Sequence, residues 1–423
     1  MEINTFRAFS NRNYRLYFIG QSISLIGTWM QRTAVYWFIF DKTNSNFMLG
    51  LAVFASQFPS FLFSPLGGIA ADRYNRYRLT LLTQSASLVQ AGLLASMMLF
   101  THYTVWSIIV LSIMEGIINA FDLPARQSLV NEIIENKENL ANAVALNSSM
   151  GKLAWLIGPA VSGIILVKFG AGICFLINAF SYLSVIIALA FIKIKPYISY
   201  TRSKNAFAEI KEGFNYIINT PSLRTTILLL ACVSLFVLPF YTLLPAFAKV
   251  VFKGNAATYG YLNSMIGTGS LIGAVALASL NSNKYMNKIL FGSLLILGIA
   301  LMAFSQISIL PAALLFAAVA GFAMMFQTTV SQTIIQVESS KEMLGRVLSF
   351  FLMAFFGLQP IGGLLIGAIS EFTGTPDAIL FQGIFAVIIT ISFLCFLRKQ
   401  ESLNKSFNKS DRNWIKDGNN SLV

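Results

Sequence analysis

Charge is the scarcest commodity in this chain. Of its 423 residues only 11% are Asp, Glu, Lys or Arg, against about 25% in a soluble domain. The stretches Thr43 to Ala71 and Leu79 to Met114 carry none. With 56% hydrophobic residues the chain reads as a polytopic membrane protein. Strict apolar–polar alternation is also missing, which excludes a barrel of short strands. Histidine occurs once, at His102, in a turn between apolar stretches, and receives no role. The cysteines are three, Cys174, Cys232 and Cys395, each inside an apolar run with no spaced partner. They read as small buried hydrophobes and leave no disulfide framework and no metal site. No nucleophile triad and no Gly-x-x-x-x-Gly-Lys-Ser/Thr phosphate loop occurs. An enzyme, an ATP-driven pump and a resident cofactor are thereby set aside.

What is present is a series of long uncharged blocks, read as helices at about 20 residues per crossing. Tyr14–Phe40, Asn46–Ala71, Leu140–Val167, Phe169–Ile192, Thr225–Ala248, Asn255–Asn283, Val347–Ser370 and Ala378–Leu397 each make one span. Leu79–Met114 divides at His102–Thr104, and Ile289–Val337 divides near Gln306–Pro311, giving twelve spans. The expected class is an all-α membrane protein of twelve transmembrane helices in two six-helix halves. An even number of spans puts both termini on one side. Placing them in the cytoplasm assigns most of the 30 Lys and Arg inward, as the positive-inside rule requires. The net charge of +13 is then a topology signal, and no nucleic-acid partner is expected, because the basic residues are spread over separate loops. No short apolar leader with a cleavage site opens the chain, so the first span is expected to stay in the mature protein.

The expected domains are a six-helix half over residues 1–192, a cytoplasmic linker over 193–222, a second six-helix half over 223–397 and a disordered cytoplasmic tail over 398–423. In the linker Phe207, Ile210, Phe214 and Ile217 recur at helical spacing beside Glu209, Lys211 and Glu212. That pattern predicts an amphipathic helix at the membrane surface, ended by Thr220–Pro221. The halves repeat weakly. Lys137-Glu138 recurs as Lys341-Glu342, and the same offset carries Leu140, Gly158, Gly163 and Gly170 onto Leu344, Gly362, Gly367 and Gly374.

A few charges fall inside or at the edge of spans: Arg32 in span one, Glu115 mid-span four, Asp122 and Arg126 at the inner end of span four, and Lys152 halfway along span five. A charge in hydrocarbon costs at least about 2.5–3.5 kcal/mol, so each should face a polar cavity or a partner. Counted along the helices at about 1.5 Å per residue, Arg32, Glu115 and Lys152 reach similar depths, and either cation suits Glu115. Two readings follow: Glu115 exchanges partners or a proton in a transport cavity, or it sits in a fixed ion pair that only stabilises the bundle. Between spans two and three stands the densest charge cluster, Asp72, Arg73, Arg76 and Arg78. It can serve as positive-inside anchoring, and Arg76 is within reach of Asp122.

Gly68-Ile-Ala-Ala-Asp72-Arg73-Tyr-Asn75-Arg76-Tyr77-Arg78 resembles the loop 2–3 motif of the major facilitator superfamily, Gly-x-x-x-Asp-Arg-x-Gly-Arg-Lys/Arg. Asn75 replaces the second glycine and tolerates the same tight turn, and Tyr77 stands where a second basic residue is usual. The resemblance implies an inner gate: Asp72 facing the start of span eleven near Leu344–Arg346, where the helix dipole favours an anion, with Arg73, Arg76, Asp122 and Arg126 completing a charge relay. Gly151-Lys-Leu-Ala-Trp-Leu-Ile-Gly158-Pro159-Ala-Val-Ser-Gly163 resembles in part the helix-bending span-five motif of proton-coupled exporters, without its final Gly-Gly. Small-residue packing is the plainer reading. Gly27-Thr-Trp-Met-Gln31, Pro124-Ala-Arg-Gln-Ser-Leu-Val130 and Leu140-Ala-Asn-Ala-Val-Ala-Leu-Asn-Ser148 resemble the drug- and siderophore-exporter branch, which includes macrolide-efflux proteins and the enterobactin exporter.

The resemblance extends to about Leu397. It implies the major facilitator fold, rocking alternating access, and export of a small organic molecule driven by a proton gradient, from a monomer in the cell or inner membrane. It also implies a cavity lined by spans one, four, seven and ten. The candidates there are Gln21, Trp29, Gln31 and Arg32; Glu115 and Asn119; Phe240 and Tyr241; and Gln327 and Gln332, with Lys152 on span five. An importer or uniporter on the same fold and a non-transporting sensor or scaffold are the competing readings. A scaffold has no need of a costly Glu115.

Overall fold

The computed structural model describes residues 6–100, 103–134, 137–192, 206–279 and 285–395. His102, the first part of the linker (193–205) and the tail 398–423 lie outside the described residues. Every regular element within them is helical. The spans are α1 (Arg12–Thr43), α2 (Asn46–Arg73), α3 (Arg76–Phe100) and α4 (Val105–Ile133), followed by one continuous stretch, Lys137–Phe191, that breaks at Gly170 into α5 (137–169) and α6 (171–191). Then come α7 (Pro221–Val250), α8 (Ala256–Ala278), α9 (Met286–Gln306), α10 (Leu310–Glu338), α11 (Leu344–Thr373) and α12 (Thr375–Cys395). Among the described residues ten helices are long and apolar enough to cross a membrane. Dividing the double one at Gly170 and adding α1 makes twelve. α1 is less apolar for a structural reason: its Gln21, Ser24, Gln31 and Thr33 are buried inside the bundle, so polarity there does not face lipid.

The predicted linker helix is present as Ala206–Asn219, and Pro221 opens α7. Ile217 is buried beneath it, while Ile210 and Phe214 are exposed, as befits a helix lying on an apolar surface. Its Gly213 rests on Arg346 and Phe350 of α11.

Within the first half α1 packs on α5 and α6, α2 on α4, and α3 on α4 and α6; in the second, α10 packs on α8 and α9, and α7 on α10 and α11. The halves meet along two seams, α5 on α8 and α2 on α11. The repeat seen in the sequence has a physical meaning at each position. Gly158 lets α5 approach α1 at Trp29, and Gly362 lets α11 approach α7 at Leu235. Gly163 and Gly367 lie on the two seams: a Cβ on Gly163 would stand 2.8 Å from the Ala256 carbonyl oxygen, and one on Gly367 2.6 Å from that of Asn46. Gly170 and Gly374 adopt φ +80° and +87°, the region open to residues without a Cβ, and each turns the chain into the next span. α11 also carries a π turn at Met353–Gly357, where Gly357 meets the Phe61 ring of α2.

The face holding the start of α1 and the α2–α3 turn is termed the terminal side, and the opposite face the distal side. Hydrogen bonds between the halves run from the distal surface to mid-depth, where Lys152 meets Met325. Beyond that level the α5–α8 seam widens into a cavity of about 360 Å³. The halves are thus closed on the distal side and parted toward the terminal side.

Candidate transport site and gates

At mid-depth in the first half a polar cluster replaces the apolar core. Glu115 of α4 is buried, 6% exposed. Its Oε1 accepts from Arg32 Nε at 3.3 Å and its Oε2 from Gln31 Nε2 at 3.4 Å. Gln31 also donates to Gln90 Oε1 at 3.0 Å and accepts from Asn178 Nδ2 at 2.9 Å. Gln90 donates onward to the Leu111 carbonyl, and Asn178 accepts from Ser181. Four helices, α1, α3, α4 and α6, are therefore tied through one glutamine. Burial of two opposite charges roughly cancels between desolvation and attraction, but removing one partner alone costs about 3–5 kcal/mol. Arg32 completes its surroundings with the Trp29 ring, 5.5 Å from its guanidinium.

That arginine begins a path to the other half. Trp29 stacks on Trp155 of α5 at 5.6 Å, and Trp155 Nε1 donates to Asn263 Oδ1 of α8 at 3.2 Å. The next residue of α8, Ser264, donates to the Leu156 carbonyl at 2.7 Å.

Arg32, Gln31 and Glu115 are brought together, and the partner of Glu115 is Arg32. Lys152 is not part of this cluster; its Nζ approaches Met325 Sδ at 3.4 Å across the seam. Asn119 lies one turn from Glu115 and is half-buried. Tyr241 is set against Phe240, with Gln57 beside its hydroxyl. Gln327 is fully buried in α10 with neither amide atom hydrogen-bonded, whereas Gln332 is exposed. Gln21 is buried with its Oε1 unbonded.

On the terminal side Asp72 and Arg73 are exposed at the end of α2. Arg76 corrects an expectation: its Nη1 pairs with Glu132 at 2.9 Å and its Nε donates to the Ala71 carbonyl. Asp122 takes other partners, Arg126 one helical turn away, the Thr83 hydroxyl at 2.7 Å and Gln84 Nε2 at 2.8 Å. The physical reason is depth. Asp122 is buried between α3 and α4, where neighbouring side chains saturate it, while Glu132 stands ten residues nearer the terminal surface, level with the loop. At the first turn of α11, Arg346 pairs with Glu212 of the linker helix at 2.8 Å.

On the distal side lies a gate the sequence reading did not anticipate. Glu371, at the end of α11, places Oε2 over the first turn of α2 and accepts from the backbone N–H of Asn46 at 2.6 Å and Phe47 at 3.1 Å and from the Ser45 hydroxyl at 3.2 Å. Asn46 returns two bonds, to the Ser370 carbonyl and Thr375 Oγ1. On the other flank Lys249 of α7 donates to Asp41 Oδ1 at 2.8 Å and to Asn44 Oδ1 at 3.0 Å. Nothing in the local sequence marks Glu371; the one available signal was an acid at a helix end opposite a helix start.

This architecture has relatives. Residues 3–417 match the family described as "Transmembrane secretion effector". The chain belongs to that family. It is a transporter of the major facilitator type and not an enzyme. The chain shares 26% identity with the staphyloferrin A transporter of Staphylococcus aureus, covering 90% of this chain and 96% of the relative. It shares 22% with macrolide efflux protein A of Streptococcus pyogenes, covering 92% and 96%. It shares 24% with the enterobactin exporter of Salmonella typhi, covering 91% and 92%. Among solved structures, the bacterial homologue of the human lysosomal transporter Spinster in its inward-facing, unoccupied form superposes with a TM-score of 0.72 at 15% identity, over 90% of this chain and 96% of that one. At that identity the likeness speaks for the fold alone. A small-molecule substrate and a lipid bilayer are the partners such a transporter has.

Proposed function

We propose that this transporter is a proton-coupled exporter of a small organic molecule, seated in the cell membrane with both chain ends and the terminal side in the cytoplasm. The exporters among its relatives support the direction, and the lysines and arginines of the terminal side support the orientation. The observation that carries the reading is Glu115, a carboxylate buried at mid-depth and held by Arg32 and Gln31. A proton arriving at Glu115 cancels its attraction for Arg32. The guanidinium then keeps the Trp29 face among its neighbours, and the Trp29–Trp155–Asn263 path links that change to the seam between the halves. In this scheme the terminal-open form loads cargo from the cytoplasm, and distal opening releases it.

Sealed vesicles of known orientation, with an internal pH dye and a panel of macrolides and siderophores, test the scheme. Substrate-dependent proton movement that disappears in Glu115→Gln, in a variant that still folds, is the expected result. Full proton movement in that variant removes Glu115 from the coupling. Movement of cargo in the same direction as the protons assigns the chain to import instead.

A further inference from the structure

We infer that Lys152 is the anion anchor of the cargo pathway, and that the cargo carries a carboxylate or phosphate group on an apolar body. The inference rests on the transport reading above and adds the chemical class of what is moved.

The argument starts from a missing counter-ion. No Asp or Glu occurs between Glu138 and Glu209, nor between Glu212 and Glu338. Past their first residues, α5 and α6 are acid-free, and so are α7 to α10 up to Glu338. Of those helices, α8, α9 and α10 wall the cavity beside Lys152. The nearest mid-depth acid, Glu115, is engaged by Arg32 and Gln31. What Lys152 does touch is a thioether, Met325 Sδ at 3.4 Å, which accepts weakly. A lysine at membrane depth with no acid is rare, and such residues mark substrate paths.

Its place on the seam gives the lysine a second property. Distal to it, α5 and α8 are in close contact through Gly163, Pro159 and Leu156. Terminal to it the seam opens into the cavity of about 360 Å³, which Lys152 lines with Met325, Thr329, Thr333, Ala274 and Met286. Those walls are apolar apart from the two threonines. Closing the terminal side would bring α8 onto α5 and drive Lys152 into that apolar wall. An unpaired ammonium opposes the movement, because burying an uncompensated charge is costly. An anion seated on Lys152 removes the opposition. The empty carrier therefore stays open to the terminal side, and the loaded one closes.

The probe is 1-naphthoate, compared with the isosteric 1-naphthamide and with 1-naphthylmethylammonium. Full-length protein is held in zwitterionic nanodiscs, and binding is read by quenching of Trp155, one turn from Lys152, with empty nanodiscs as the blank. Naphthoate should bind about tenfold tighter than the amide, a difference of about 1.4 kcal/mol. Lys152→Met should abolish that preference and Lys152→Arg should keep it. In parallel, Cys174, Cys232 and Cys395 are replaced and spin labels are placed at Ser148→Cys on α5 and Ala278→Cys on α8. Naphthoate should shorten their distance with Lys152 present, and Lys152→Met should be short without any anion. The same shortening caused by phosphatidylglycerol nanodiscs alone would support the anion site and assign its ligand to a lipid headgroup. Equal binding of acid and amide, a preference that survives Lys152→Met, tighter binding of the ammonium, or no saturable binding would overturn the inference. Binding is measured without a proton gradient, so failure of proton-driven export leaves this result standing, and the converse holds.

Discussion

Gln31 has no charge and no reactivity, yet it is the residue on which the first half converges. Its amide serves Gln90, Asn178 and Glu115 at once. Gln31→Leu leaves three buried polar groups short of a partner, and each such group costs about 1–3 kcal/mol. Thermal unfolding of the purified variant should show a clear loss, while Gln332→Leu, at an exposed site on α10, should be near neutral. The charged residues of this cluster were legible because an isolated charge in an apolar span is conspicuous. Gln90 and Asn178 were not, since an amide in a span is common and only a neighbour on another helix gives it purpose. Arg76 shows the reverse failure: its reach toward Asp122 was argued from sequence distance, but burial had already supplied Asp122 with nearer partners.

Among the helices, α5 shows how unequal the glycines of one motif are. Gly151 has open space where a Cβ would go, so Gly151→Ala should be neutral or gain about 0.5–1 kcal/mol of helix stability. Gly163→Val forces α5 from α8, and Gly367→Val forces α11 from α2. Overpacking of that kind costs about 1–3 kcal/mol, charged here against the distal-closed form alone. Spin labels across the distal surface should report longer distances in both variants; unchanged distances would mean the seams are not the hinge of closure. The Glu371 carboxylate over the start of α2 acts on the same equilibrium. An anion at an exposed helix N-terminus is worth about 0.3–1 kcal/mol, so Glu371→Gln should raise the distal-open population severalfold by the same labels, and high salt should mimic the substitution.

Taken as a whole, the molecule is two six-helix halves closed on one side and parted on the other, and its orientation is open to direct measurement. In a background with the three cysteines replaced, Lys42→Cys should react with an impermeant maleimide on intact cells. Asn75→Cys, in the turn before α3, should react only after permeabilisation. The opposite pattern would invert the membrane orientation and with it the direction of transport.

Composition, uncharged runs and the placement of lysine and arginine were sufficient, without coordinates, for the class and the number of spans. Those properties depend on transfer of side chains between water and lipid, which is additive along the chain. The glycine repeat was equally visible as a pattern. Its purpose was not, because whether a missing Cβ opens a turn at Gly170, admits α1 at Gly158 or admits the other half at Gly163 depends on which helix lies opposite. The choice of Arg32 over Lys152 as the partner of Glu115, the pairing of Arg76 with Glu132, and the distal gate at Glu371 were decided only by tertiary structure. Helical depth could be counted from the sequence, but the direction each side chain faces relative to helices far away in the chain is set by packing.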